Sequence, residues 1–273
     1  MRPLILITND DGIYSPGLKA AAEAVADLGD LLMVAPRFQQ TAMGRSYPVI
    51  PTQGVIEKII LEIAGHQHLA YGVHGSPSQA VLHGVMELAP RQPDLCISGI
   101  NYGDNIGVTM AASGTIGAAF EASTCGIPAL AVSREVDMAL HRSENYAELD
   151  WRIPAYFTRL IAEKMLRNGL PAGVDVLNLN IPEETSETTE IRLTVQSQWP
   201  HFYYTHSHEK RDFSQRFLLP LIKMASLDSL EPDSDIKAVV FDRVVSLTPL
   251  RSNFTAPVDL GNWSSDGHPQ KND

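Results

Sequence analysis

Two adjacent aspartates, Asp10 and Asp11, follow directly on a short apolar run, residues 4–8, and precede Gly12. Neighbouring carboxylates repel one another unless a cation or solvent relieves them. The pair is therefore either a solvated turn or half of a cation site. Asn, Asp and Gly are ordinary turn formers, which keeps the first alternative open. The placement of the pair between a buried strand and a capped helix favours the second.

Two further segments could join it. Residues 36–46 carry a hydroxyl on Thr41, a glycine at 44 and arginines at 37 and 45, a set that specifies no chemistry alone. Residues 98–107 place glycines at 99, 103 and 107, which permit positive φ and close backbone approach to a ligand. Their spacing is not G-x-G-x-x-G, so no dinucleotide fingerprint is present. Ser113-Gly114-Thr115 then offers backbone N–H groups and two hydroxyls at a predicted helix start, which suits an anion. Plain N-capping by Ser113 is the alternative. Together the three loops can supply two carboxylates, an amide oxygen and a hydroxyl. An all-oxygen shell of that kind suits Mg2+ or Mn2+ and disfavours Zn2+.

The elements that must position these loops alternate in type. Strands are expected at 4–8, 31–35, 55–63, 69–73, 94–98, 129–132 and 174–180. Helices are expected from Ser15-Pro16 to a stop at Gly29, from Ser76-Pro77 to about Leu88, over 113–124 and over 156–167. This βαβ rhythm predicts an α/β fold, a three-layer parallel sheet with helices on both faces. In such sheets ligands bind beyond the carboxyl ends of the strands, where all three loops lie. Residues 1–182 read as the α/β core and 183–222 as an extended β excursion rather than an independent domain. Residues 223–250 read as a return to the core and 251–273 as a polar tail.

Composition narrows the function. The 273 residues are 44% hydrophobic and 19% charged, which is globular, and the formal charge is −11. That balance argues against a surface for nucleic acid polymers, although a metal can reverse the local field for a small phosphate. Cys96 and Cys125 match no zinc or redox spacing and read as reduced core residues. No run approaches the ~20 apolar residues of a membrane span, and the amino terminus lacks a signal peptide's apolar stretch. A soluble, cytoplasmic protein with no membrane partner is expected. His66 and His68 read as flanking a turn. His74 and His83 are left unassigned, and His206 and His208 suit a subunit contact beside the aromatic run 199–204.

Four spaced blocks carry a resemblance. They are Ile7-Thr8-Asn9-Asp10-Asp11-Gly12 with Ser15-Pro16-Gly17; Val34-Ala35-Pro36 with Thr41-Ala42-Met43-Gly44; Ser98-Gly99-Ile100-Asn101 with Gly103, Asn105 and Gly107; and Ser113-Gly114-Thr115 with Gly117-Ala118-Ala119. Over about residues 4–250 the chain resembles the SurE family (survival protein E, a 5′/3′-nucleotidase and metal-dependent acid phosphatase). The resemblance implies a phosphatase acting on nucleoside 5′- and 3′-monophosphates with one divalent cation per subunit, Mg2+ or Mn2+. It implies metal ligation by Asp10, Asp11, Thr41 and Asn101 and a catalytic part for Asn9, Asp10 and Asp11. Phosphate contacts would fall on Asn9, Gly44, Asn105, Ser113, Gly114 and Thr115. It implies a Rossmann-like core, and a homodimer or homotetramer formed through the β extension. Thr41 stands where the family usually has serine and Ala112 where it usually has tyrosine, and residues 196–216 match poorly.

Two rivals remain. A haloacid-dehalogenase-type phosphatase also uses aspartates after a first strand, but it wants them separated by one residue. A non-catalytic nucleotide-binding module would use the glycine loops without hydrolysis.

Overall fold

The computed structural model describes residues 2–137, 146–205, 210–217, 219, 221–223 and 229–256. Apolar strands buried on both faces form its centre. In β1 (Leu4–Thr8) all five residues are buried. Ile5 and Ile7 point into one apolar layer while Leu4 and Leu6 point into the other, as the two-residue period of a strand requires. The first layer is completed by α1 (Pro16–Val25) and α4 (Arg152–Asn168), through Leu18, Val25, Phe157 and Ile161. The second is completed by α2 (Pro77–His83) and α3 (Gly114–Thr124), through Val81, Ile116 and Ala119. Each fully buried Leu, Ile or Phe contributes about 1.5–3 kcal/mol.

The other main strands are β2 (Asp30–Pro36), β3 (Ile56–Ile63), β4 (His66–Val73), β5 (Leu95–Tyr102), β6 (Ala129–Arg134), β7 (Val176–Ile181), β8 (Ile191–Leu193) and β11 (Val245–Leu250). They join β1 in one sheet of order β3-β4-β2-β1-β5-β6-β7-β11-β8. Its centre is parallel from β4 to β7, and the pairs β3–β4 and β7–β11 are antiparallel. The sheet is therefore mixed but mostly parallel. The strands β9 (Phe202–Tyr204) and β10 (Leu221–Lys223) form a separate two-stranded antiparallel sheet. Within the β excursion, β8 pairs with β11 of the main sheet.

Helix starts follow the predicted caps. Ser15 Oγ accepts from Gly17 N, and Ser76 with Gln79 forms a reciprocal capping box. Two local expectations are corrected. Gly29 does not close α1, which ends at Val25 with Ala26 as its cap. His66 and His68 follow the turn at Ala64 and Gly65, both at positive φ, and β4 starts at His66 rather than at residue 69. His206, His208 and most of the 251–273 tail lie outside the described residues. Among the described residues no helix is long and apolar enough to cross a membrane.

Candidate active site

The parallel strands β1, β2, β5 and β6 run their carboxyl ends to the same edge, so the three loops emerge side by side. Backbone hydrogen bonds then join them. Ile13 N donates to Pro36 O at 2.8 Å, Gln40 N to Asp10 O at 2.7 Å, and Gly44 N to Ala112 O at 2.9 Å. Thr41 is thereby carried on backbone bonded to that of Asp10. Gly117 completes the joint: a Cβ there would overlap the Gly44 carbonyl, so α3 lies directly on the second loop.

Asp10 and Asp11 are 4% and 2% exposed, and Asn9 is fully buried. The Asn9 side chain closes the loop on itself. Its Nδ2 donates to Gly12 O at 3.1 Å and its Oδ1 accepts from Gly12 N at 3.2 Å. The two carboxylates face different partners. Thr115 Oγ1 donates to Asp10 Oδ1 at 2.6 Å. Asp11 Oδ2 accepts from Tyr102 N at 3.2 Å and Oδ1 from Gln39 Nε2 at 3.4 Å. Tyr146 reaches the backbone carbonyl of Asp11 at 2.8 Å.

Burial raises the pKa of Asp10, and the Thr115 hydroxyl with the Gly114 and Thr115 amides opposes that rise. Asp11 is pushed well above the usual carboxylate range by burial first and by the Asp10 charge second. Among the described residues no lysine, arginine or histidine acts on either group. Two like charges are thus buried together with neutral hydrogen-bond donors as their only relief, the arrangement that a divalent cation would neutralise.

The remaining donors suit such an ion. Asn101 Nδ2 donates to Gly103 O at 2.8 Å, which fixes the amide and leaves its carbonyl oxygen for another partner. Asn101 sits just after an irregularity in the β5–β6 pairing, between Ser98 and Asn101, which includes a cis Gly99–Ile100 peptide. Among the described residues no three His, Cys, Asp or Glu side chains gather into a metal group. A cation at the aspartate pair would therefore need its further donors from outside that set, as oxygens of amides, hydroxyls or water, which is hard-cation chemistry.

The α3 N-terminus approaches closely. A Cβ on Gly114 would lie 2.7 Å from Asp10 Cβ and 2.9 Å from its Oδ2, so only glycine fits. Ser113 Oγ accepts from Ile116 N at 3.2 Å and serves as the N-cap. Thr115 is engaged with Asp10, as above. Asn105 is held by residues that sequence reasoning did not single out. Its N donates to Asn180 Oδ1 at 2.8 Å, its O accepts from Asn178 Nδ2 at 2.8 Å, and its Nδ2 donates to Ser133 Oγ at 2.8 Å. Gln39, Tyr102, Tyr146, Ser133, Asn178 and Asn180 all support the site. Only the asparagines left a sequence signal, two amides at alternate positions of an apolar strand.

A family model described as Survival protein SurE matches residues 5–202. The chain belongs to the SurE family. Among its relatives is 5′-nucleotidase SurE of Thermococcus gammatolerans, 38% identical over 94% of this chain and 92% of that protein. The protein of the same name from Methanocella arvoryzae is 40% identical over 92% and 93% of the two chains. The crystal structure of SurE protein from Aquifex aeolicus superposes with a TM-score of 0.69, at 28% identity, over 93% of this chain and 95% of that one. Ala112 is an exposed residue closing the short 3-10 helix Val108–Ala112.

Proposed function

We propose that this chain is a nucleotidase that hydrolyses the phosphomonoester of nucleoside 5′-monophosphates, and of 3′-monophosphates with them, using one bound Mg2+ or Mn2+. The observation that carries the reading is the buried Asp10–Asp11 pair, without a basic partner among the described residues, facing the N-terminus of α3. The names borne by its relatives support the same activity.

Asp10, Asp11, Thr41 and Asn101 would hold the cation. When bound, such an ion polarises a phosphoryl oxygen and lowers the pKa of a water. The two carboxylates match its charge, so a phosphate dianion meets little net repulsion. One carboxylate of the pair accepts a proton from the attacking water. The water oxygen bonds to phosphorus, the bond from phosphorus to the nucleoside oxygen breaks, and that oxygen leaves as the alcohol, its proton returned through water from the same carboxylic acid. The N-terminal end of α3, with its helix dipole, and the Ser113 hydroxyl would stabilise the charge that develops on the phosphoryl oxygens. Asn9 keeps the loop shape that aims both aspartates, and Gly44 and Asn105 border the phosphate space.

The mostly parallel core over residues 1–182 is read as the catalytic unit, with the return at 223–250 completing it. The excursion at 183–222 is read as the arm through which subunits pair in a homodimer or homotetramer. The exposed rings of Tyr203 and Tyr204 on β9 support that reading.

The test is phosphate release from a panel of nucleoside monophosphates with EDTA, Mg2+ or Mn2+ added. Release that EDTA stops and a metal restores is expected. A phosphoaspartate trapped on Asp10 or Asp11 would favour the haloacid-dehalogenase type instead. Nucleotide binding without release would favour a non-catalytic module.

A further inference from the structure

Two exposed aromatic rings stand on the loops that carry the aspartates and Thr41. Tyr14 is 50% exposed and Phe38 57% exposed. Single exposed aromatics are common on protein surfaces and need no explanation. These two differ because they are organised. The guanidinium carbon of Arg37 lies 5.0 Å from the Tyr14 ring centroid and 4.9 Å from that of Phe38, so one cation holds both rings. Arg37 is itself fixed: its Nε donates to Glu57 Oε2 at 2.8 Å. The other Glu57 oxygen meets His74 Nε2 at 2.8 Å, and the His74 ring stands edge-on to Phe38 with centroids 5.5 Å apart.

The backbone that bears these rings also bears the candidate active site. Tyr14 is on the loop of Asp10 and Asp11, and Phe38 is on the loop of Thr41. The Ile13–Pro36 and Gln40–Asp10 hydrogen bonds join the two loops on either side of the rings. A Cβ on Gly12 would lie only 3.3 Å from the Phe38 carbonyl carbon, so the loops touch without an intervening side chain. A ligand whose phosphate sits at the aspartates therefore has two oriented π faces and a guanidinium at hand.

We propose that Tyr14, Arg37 and Phe38 form a stacking platform for the base of a nucleotide substrate. The inference rests on the nucleotidase reading and deepens it, by naming the part of the chain that recognises the base rather than the phosphate. Every base presents a π face, so such a platform accepts all of them and favours the larger purines over pyrimidines. Glu57 and His74 act as positioning residues, through Arg37 and the Phe38 ring.

The experiment is steady-state phosphate release with Mn2+, from adenosine 5′-monophosphate and from ribose 5-phosphate, which lacks the base. Wild type, Phe38→Ala, Tyr14→Ala and Phe38→Tyr are compared. Phe38→Ala and Tyr14→Ala are each expected to raise KM for the nucleotide about 10-fold with kcat within about twofold, and to leave ribose 5-phosphate unchanged. Phe38→Tyr, which restores a ring, is expected to match wild type. Equal losses on both substrates, or no loss on the nucleotide, would overturn the platform. Wild type that cleaves ribose 5-phosphate but no nucleotide would also overturn it while leaving a phosphatase. Wild type that cleaves neither would overturn the nucleotidase reading, and the platform with it.

Discussion

The Thr115 hydroxyl donates to Asp10 Oδ1 across 2.6 Å in a fully buried contact, and so fastens the first turn of α3 to the end of β1. The bond orients the Asp10 carboxylate, on which the Gly114 and Thr115 amides also act. Groups that orient a metal ligand typically matter 10–100-fold in affinity or activity. Thr115→Val, which keeps the shape, is expected to weaken Mn2+ affinity by about that factor, roughly 10–100-fold. Thr115→Ser is expected to stay near wild type. Calorimetric titration of both variants checks this.

The buried aspartate pair makes a prediction about stability. Both folded-state pKa values are raised, so the folded protein binds more protons than the unfolded chain between the two values. The contribution of the pair therefore falls as pH rises from about 4 through the elevated folded value. Asp11→Asn removes one charge. In EDTA it is expected to melt above wild type at neutral pH, with the difference shrinking toward acid pH. Added Mn2+ is expected to stabilise wild type and not the variant. Thermal melts across pH, with and without metal, test both signs.

Gly114→Ala should behave against helix propensity. Alanine favours a helix by about 1 kcal/mol over glycine. Here its Cβ would lie 2.7 Å from Asp10 Cβ, so α3 or the Asp10 loop must shift. Loss of phosphate release by at least about 100-fold is expected, consistent with a roughly 1 Å misplacement at a reacting centre. Full activity in this variant would mean that the close approach does not matter.

Asn180→Leu removes the amide that accepts from Asn105 N and leaves that part-buried donor without its partner. A loss of about 1–3 kcal/mol in stability is expected from chemical denaturation. Thr41→Ser, by contrast, keeps the hydroxyl that would face the cation and is expected to keep phosphate release within about threefold of wild type.

Much of this architecture was readable from residue patterns. Ser15-Pro16 and Ser76-Pro77 announce α1 and α2 because capping is a local interaction. The apolar runs announce the parallel strands because burial on both faces leaves no polar period. What stayed hidden is long-range. The insertion of β11 between β7 and β8 depends on pairings far apart in sequence, and its antiparallel direction has no local signature. The hydrogen bonds of Gln39 and Tyr146 to Asp11 depend on where separate loops meet. The turn between β3 and β4 is legible, but the pattern starts β4 three residues late because His66 to His68 are as polar as turn residues.

The central claim is that Asp10 and Asp11 hold one divalent cation on which phosphate release depends. EDTA-stripped protein should be titrated with Mn2+ while bound metal and phosphate release from a nucleoside 5′-monophosphate are followed together, with Asp10→Asn alongside. The account predicts that release rises in step with the first equivalent bound per subunit, and that the folded Asp10→Asn variant shows neither. Full release in EDTA, or normal release by Asp10→Asn, would contradict it.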